Sequence, residues 1–207
     1  MSDSAEQFRH QASRRATLGV ITCPSCYGSL KPDTKWCPTC NFTGNDSTAM
    51  FPDPPPPLLP LLDAAGLLKA DDIRKIETAR DRLRRRFPQF HWRICTVSLP
   101  VDTRLSLFGF WLLNVCPLYD QETLADRNST VLLLINADTG QAAVVPGYAV
   151  EPFLSDEEWK AILRTMIEPW KSGNPSAAIL QFFKSSRRHL DLSWKRFGTR
   201  HSSGNVS

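Results

Sequence analysis

NSTVLLLINADTGQAAVVPGYAVEPFLSDEEW, residues 128–159, is the stretch that decides the fold. Its apolar run at residues 130–136 has the length of a strand and is too short for a helix, which is typical of a strand buried on both faces of a sheet. Turn residues follow, and residues 141–145 are predicted to form a second strand, so that the two make a β-hairpin. Ser155 stands three residues before Glu158, the spacing of a capping box at the start of an amphipathic helix. Together these elements indicate an α/β domain.

The rest of residues 61–192 adds helices and strands around this centre. A helix is predicted after residues 61–68, a strand at 92–99 and a helix at 103–115. The capped helix has an apolar stripe at helical spacing, which predicts that six side chains face inward: Trp159, Ile162, Leu163, Met166, Ile167 and Trp170. A last helix is predicted to start at Asn174 and Pro175. Beyond Leu192 the chain becomes polar and basic, and residues 193–207 are predicted to be a flexible tail.

Composition limits the class of protein. The chain has 207 residues, 42% of them hydrophobic and 22% charged, as in an ordinary globular protein. A net charge of +4 is a mild bias, weaker than in a dedicated nucleic-acid binder. The first 20 residues have no apolar core of the kind a secretory signal needs, and they are predicted to be disordered. No apolar run approaches the roughly 18 residues of a membrane span. We therefore expect a cytoplasmic protein.

Four cysteines in two CxxC motifs predict a zinc ribbon at residues 21–44. Cys23 and Cys26 form one pair and Cys37 and Cys40 the other, so two turns can aim four thiolates at one ion. Four protein ligands leave no open position, which is typical of a structural site rather than a catalytic one. Iron in the same ligand set and a redox dithiol are the alternatives. The positions after each second ligand, Gly28 and Asn41, favour a left-handed backbone.

The remaining cysteines and the linker carry weaker signals. Residues 45–60 are rich in proline, and the run at 54–57 favours an extended, semi-rigid spacer over an SH3-type ligand. Cys95 is interpreted as a small buried hydrophobe. Cys116 has no pairing partner in the sequence pattern, and nothing nearby would clearly lower its pKa.

One predicted helix is rich in arginine. Its outer face carries Arg74, Arg80, Arg82, Arg84, Arg85 and Arg86. A solvated helix face is the simplest interpretation of this run. The alternative is a phosphate-binding or nucleic-acid patch built on Arg80, Arg84 and Arg85.

Several motifs, in order, resemble the TPM-domain family, whose members include thylakoid acid-phosphatase-like and photosystem II repair proteins. They are DAAGLL at 63–68, Phe108-x-x-Trp111, NSTVLLLI at 128–135 and GYAVE at 147–151. The resemblance implies an α/β fold with a mixed central sheet and helices on both faces, here preceded by the zinc ribbon. It covers residues 61–192.

The resemblance also implies a cation site, because some family members bind calcium or show weak phosphatase activity. Carried over by position, its acidic residues are Asp63, Glu151 and Asp156, and oxygen ligands suit calcium. Asn128 replaces the family's aspartate, so one charge is missing. Asp63 and Asp156 also lie beside helix starts, where acidic residues are expected as capping or dipole partners.

Three functions follow from these patterns. The favoured one is a non-catalytic protein-interaction or assembly module with protein partners. The first alternative is a weak metal-dependent phosphatase, an acid-phosphatase-like phosphomonoester hydrolase. The second is a nucleic-acid-associated factor. The chain has no GxSxG, P-loop or CxxxxxR motif, and its four histidines form no recognisable catalytic or metal motif, so the enzyme reading rests on the three acidic residues alone.

Overall fold

The computed structural model describes residues 21–23, 25–26, 28–31, 34–43, 45–46, 51, 54–118 and 124–202. The predicted disorder of residues 1–20 lies outside this range, as do the last five residues of the predicted tail. The strands are β1 (Ile21–Thr22), β2 (Ser29–Leu30), β3 (Leu61–Asp63), β4 (His91–Val97), β5 (Thr130–Asn136) and β6 (Ala142–Pro146). The helices are α1 (Ala70–Arg86), α2 (Leu105–Val115), α3 (Leu124–Asn128), α4 (Asp156–Arg164), α5 (Ile167–Lys171) and α6 (Pro175–Ser202).

A mixed four-stranded sheet in the order β3-β4-β5-β6 forms the centre of the fold. The first three strands are parallel, with Cys95 of β4 aligned between Leu62 and Leu134. β6 returns antiparallel to β5, which confirms the predicted hairpin. All seven residues of β5 are buried, as predicted for a strand covered on both faces.

Helices cover both faces of this sheet. Side chains alternate along β5, so Leu133 faces one side and Leu132 and Leu134 face the other. The first side packs against α1, α4 and α6, and the second against α2. The first core includes Ile76, Leu83, Trp159, Ile162, Ile179 and Phe182. The second includes Phe108, Trp111 and Leu112. The predicted fold class, a mixed sheet with helices on both faces, is confirmed.

Residues 61–68 contain a strand that the sequence pattern does not predict. β3 is only three residues long, and it exists because it pairs with residues 94–96 of β4, some 30 positions later. A run of three residues carries no usable periodicity, and its pairing is non-local.

The capped helix is shorter than predicted. It ends at Arg164, and a separate short helix, α5, follows. The break coincides with tight three-residue hydrogen bonds, in which the Thr165 and Met166 N–H groups donate to Ile162 and Leu163. The redirected chain leaves Ile167 44% exposed, so the prediction that Ile167 faces inward is wrong.

The last helix is longer than predicted and runs to Ser202. Tertiary contacts extend it past Leu192: the Ser193 hydroxyl donates to the carbonyl of Phe153, and Trp194 stacks on the Phe153 ring at 5.4 Å. Arg196 pairs with Glu158 of α4 at 2.7 Å. Residues 193–202, which the sequence predicts to be part of a flexible tail, are therefore helical.

The predicted spacer packs against the domain where the structure describes it. The ring of Phe51 lies 5.1 Å from Phe108 and 4.8 Å from Trp111. Leu58 is fully buried, and its N–H donates to the Pro117 carbonyl at 2.8 Å. These two apolar residues flank the prolines and complete the core beside α2. Within the described part of the chain, no helix is both long and apolar enough to cross a membrane.

Candidate metal centre

The two CxxC motifs fold as tight turns of a small cysteine knuckle, residues 21–43. β1 and β2 pair antiparallel, and the Cys23 N–H donates to the Gly28 carbonyl at 2.8 Å. The second turn closes with the Cys37 N–H donating to Phe42 at 2.9 Å. Asn41 has a φ of 59°, so its predicted left-handed backbone is confirmed. Gly28 is not left-handed; a Cβ there would lie 3.0 Å from Thr39 Oγ1, so space explains this glycine.

The four cysteine sulfurs gather at one point. Sγ atoms are 3.7 Å apart between Cys23 and Cys40, and 3.6 Å apart between Cys26 and Cys37. All four lie within 4.8 Å of one another. A tetrahedral ion with metal–sulfur bonds of about 2.3 Å needs sulfurs about 3.8 Å apart. The knuckle can therefore hold a metal ion through four thiolates.

Backbone groups prepare these sulfurs for ionisation. The N–H groups of Ser25 and Gly28 each donate to a cysteine sulfur at 3.4 Å. Burial opposes ionisation of Cys37, but N–H groups of its own turn and neighbouring thiols outweigh it and lower its pKa to about 6. Burial raises the pKa of Cys23 to about 12. The Cys37 thiol thus ionises readily, whereas the Cys23 thiol resists ionisation. A bound positive ion would therefore be needed to hold all four cysteines as thiolates.

The knuckle also touches the main domain. The guanidinium of Arg104, just before α2, donates to the carbonyl of Ser25 and to its hydroxyl at 3.1 Å. The sequence gives no signal for this contact, because Arg104 and Ser25 are far apart in the chain and belong to different predicted units.

The structure does not bring together the three acidic residues predicted to hold calcium. Asp63 ends β3, where its carboxylate accepts from the N–H of Leu67 and of Leu68 and from Thr96. Glu151 follows β6. Because β6 runs antiparallel to the other strands, it ends at the opposite end of the sheet from Asp63. Asp156 lies in the first turn of α4. Among the described residues only the four cysteines form a metal-ligand group. Asp63 thus accepts hydrogen bonds in the turn after β3, and Asp156 lies at the start of a helix.

The three arginines of the predicted phosphate patch differ in exposure. The Arg80 side chain is only 18% exposed and pairs with Asp81 at 3.1 Å. Arg84 and Arg85 are exposed on the same helix. The cations of α6 were not part of the predicted patch, because the packing of α6 against α1 is a tertiary feature that sequence spacing does not show.

Cys95 and Cys116 lie in the second core. Burial raises the pKa of Cys95 to about 12, and the nearby Cys116 and Asp63 act in the same direction. Burial likewise raises the pKa of Cys116 to about 12, against the opposing charge of Arg127. Both thiols therefore stay protonated at neutral pH and act as small apolar side chains.

Two of the sequence motifs meet at one end of the sheet. The Gly147 N–H donates to Thr130 at 2.7 Å, and the Ala149 N–H donates to Asn128 at 2.9 Å. Asn128 and Gly147 line a cavity of about 10 Å³, together with Arg127 and Tyr148. That volume is enough for about one water molecule. The GYAVE turn thus has a structural role in fixing the start of β5.

Comparison with known proteins places this fold. The family model of the TPM domain matches residues 61–188. The N-terminal domain of a Porphyromonas gingivalis protein (P.gingivalis), known from solution NMR, is 21% identical with a TM-score of 0.50, covering 64% of this chain and 82% of that domain. A protein from the psychrophilic bacterium Bizionia argentinensis is 13% identical with a TM-score of 0.49, covering 61% of this chain and 83% of its own.

These structural likenesses concern the fold alone. No curated protein matches the chain. The family model covers more than half of the sequence and includes every strand of the central sheet. The chain therefore belongs to the TPM domain family.

Proposed function

We propose that this protein is a non-catalytic protein-interaction or assembly module, in which a zinc ion folds the cysteine knuckle beside the TPM domain. The observation that carries the proposal is the set of four converging thiols, which satisfies a tetrahedral ion and leaves no position for substrate. Zinc is the ion of choice because thiolates are soft ligands and zinc prefers four of them in a tetrahedron. The separation of Asp63, Glu151 and Asp156 supports the non-catalytic part.

Zinc content tests the metal assignment. We expect one zinc ion per purified chain, and loss of most of it in Cys37→Ser, because three thiolates bind much more weakly than four. Cys95→Ala is the matched control, since Cys95 lies in the main core, and it should keep its zinc. Metal is measured by mass spectrometry of the native protein. Iron in the wild type, or full zinc in Cys37→Ser, would refute the assignment.

A phosphatase assay tests the non-catalytic assignment. We expect no hydrolysis of a phosphomonoester above background, with or without calcium or magnesium, in protein shown to be folded by circular dichroism. Asp63→Asn is assayed beside the wild-type protein. Asp63 is one of the three acidic residues predicted to hold a cation, and its carboxylate accepts hydrogen bonds from Leu67 and Leu68. Cation-dependent turnover that disappears in Asp63→Asn would overturn this part of the proposal.

A groove beside the hairpin turn supports a protein partner. It has a volume of about 460 Å³ and runs between the β5–β6 turn and helices α4 and α5. Its floor is apolar and its rim is cationic, and the exposed Ile167 lies next to Trp170. Apolar surface that is not needed for folding is typical of interaction sites. The lining residues are Ile135, Ala142, Leu163, Met166, Ile167 and Trp170, with Lys160, Arg164 and Lys171 at the rim.

Site-specific cross-linking tests this surface. A photo-reactive amino acid at position 167 should capture a discrete protein in cells. The same amino acid at position 101 is the control, because Val101 is 80% exposed but lies outside the groove. Equal labelling from both positions would contradict the groove as the docking surface.

A further inference from the structure

Helices α1 and α6 concentrate the positive charge of the protein. α1 carries seven lysines and arginines against four carboxylates, and α6 carries six against one. The two helices therefore hold a net charge of +8, whereas the whole chain has +4 and the remainder is net negative. Such asymmetry creates a local positive potential that the overall charge conceals.

The two helices pack side by side, so their cations form one surface. The Arg86 guanidinium donates to Asp191 of α6 at 2.8 Å. Nearer the start of α1, Lys75 and Arg82 line a groove of about 530 Å³ together with Leu180 of α6. The exposed cations of α6 between these two contacts follow Leu180 by four, seven and eight residues, which places them on the side of α1. We call this surface the cationic face: Lys75, Arg82, Arg85 and Arg86 of α1 with Lys184, Arg187 and Arg188 of α6.

Internal ion pairs neutralise only part of the cationic face. Lys75 lies 3.7 Å from Asp72, and Arg86 and Arg187 share the carboxylate of Asp191. For the other four cations, the described residues offer no hydrogen-bonded or ion-paired carboxylate. These four are Arg82, Arg85, Lys184 and Arg188. All four are exposed and lie on two adjacent helices, where their mutual repulsion favours the binding of an external anion.

The composition of the cationic face selects the anion. Five of its seven cations are arginines, whose planar forks match phosphate oxygens. Its exposed surface offers no large apolar residue for insertion into a membrane: the exposed Leu192 and Trp194 lie beyond Asp191, and the other exposed ones lie on other elements. It also offers no exposed aromatic ring on which unpaired bases could stack. The one hydroxyl in the groove, that of Thr78, already donates to the Arg74 carbonyl, so contacts with a nucleic acid would come from the cations, which suit phosphate oxygens.

We propose that the cationic face of α1 and α6 binds the phosphate backbone of duplex DNA without sequence specificity. Binding at this face depends neither on the proposed zinc knuckle nor on its protein partner. It is a second binding surface that differs in charge from the α4–α5 groove: the cationic face presents mainly lysines and arginines, whereas the groove is apolar with a cationic rim.

The test uses the full chain and a fluorescent DNA duplex of about 30 base pairs. Neutralisation of about four phosphates predicts that affinity falls on the order of 100-fold between about 50 and 200 mM salt. Arg82→Glu with Lys184→Glu should raise Kd at least about tenfold, because it reverses two unpaired charges. The matched control is Lys31→Glu with Lys35→Glu, which changes net charge equally at two exposed lysines outside both the cationic face and the α4–α5 groove, and it should shift Kd less than about threefold.

Each arm has a result that overturns the proposal. The milder pair Arg82→Gln with Lys184→Gln, compared at equal melting temperature, guards against misfolding of the reversed variant and should still weaken binding. Failure to bind the duplex at low salt, or equal weakening by the control pair, would refute it. Tenfold tighter binding of a duplex RNA of the same length would reassign the face to RNA. Binding to anionic vesicles without binding to DNA would reassign it to membranes.

Discussion

At the scale of single residues, two glycines are needed for different physical reasons. Gly147 is buried in the GYAVE turn, where an added Cβ would meet the backbone carbonyls of Asn128 and Arg127, the latter at 2.6 Å. Gly66 has open space around it but a φ of +65°. The first position lacks room, and the second needs a conformation that other residues adopt at a cost.

Alanine substitutions should separate these two requirements. We expect Gly147→Ala to lower the free energy of unfolding by about 3 kcal/mol or more, because backbone atoms cannot move aside as side chains do. Gly66→Ala should cost about 1 kcal/mol, the price of a left-handed residue. Urea unfolding measures both. A smaller loss in Gly147→Ala than in Gly66→Ala would show that the GYAVE turn can shift as a unit.

At the scale of elements, α4 depends on its N-terminal cap. The Ser155 hydroxyl accepts from the Glu158 N–H at 3.3 Å, and the Glu158 carboxylate accepts from the Ser155 N–H at 2.9 Å. This is the capping box that the sequence predicts. The same carboxylate also pairs with Arg196, so one side chain joins the start of α4 to the far end of α6.

Removing the cap should weaken α4 measurably. We expect Ser155→Ala to lower the free energy of unfolding by about 1 kcal/mol, because the Glu158 N–H loses its acceptor. Ser172→Ala is the control: Ser172 is exposed, and its hydroxyl only donates to a helix carbonyl. Thermal unfolding of both variants is the measurement. Equal stability of the two variants would contradict a stabilising cap.

The contribution of Glu158 should disappear in acid. Burial opposes its ionisation, but the Ser155 N–H and the Arg196 guanidinium outweigh burial and hold the pKa of Glu158 below its usual range. A lowered folded-state pKa stabilises the fold at pH values above the unfolded pKa, and this stabilisation is lost as pH falls through the folded pKa. Glu158→Gln should therefore destabilise the protein near pH 7, and this effect should shrink as pH falls below the ordinary glutamate pKa of about 4.3. A pH-independent effect would assign the loss to packing instead.

At the scale of the whole molecule, the segment between the knuckle and the TPM domain is part of the core. Leu58 is fully buried, and its carbonyl accepts from the buried Arg93 guanidinium of β4 at 2.5 Å. Phe51 covers Phe108 and Trp111 on the same side of the sheet. The domain therefore extends at least to Leu58, three residues before the predicted boundary and before the residues that the family model matches.

Leu58→Ala tests this extension. We expect it to lower the free energy of unfolding by about 3 kcal/mol, within the usual range for a buried leucine. Pro56→Ala is the control, because Pro56 is exposed in the same segment, and it should change stability by less than about 0.5 kcal/mol. Denaturant unfolding of the full chain measures both. A Leu58→Ala variant as stable as Pro56→Ala would mean that this segment is only loosely attached.

The sequence alone determined the elements whose signals are local. The run at 130–136, the hairpin that follows, the Ser155 cap and the four cysteines each depend on residues within a few positions of one another, and each occurs where it is predicted. The family's motif order supplied the fold class. Periodicity and capping chemistry act over one or two turns, so a single sequence expresses them directly.

Only the tertiary structure decided the features that depend on distant contacts. β3 exists by pairing with β4, α6 continues past Leu192 because of Phe153 and Glu158, and Leu58 enters the core through Pro117 and Arg93. The same reason explains the site residues: Asp63 and Glu151 belong to opposite ends of the sheet because β6 runs antiparallel, and the cations of α1 and α6 meet because the helices pack together. Sequence spacing records which residues are neighbours along the chain, whereas strand direction and helix packing decide which are neighbours in space.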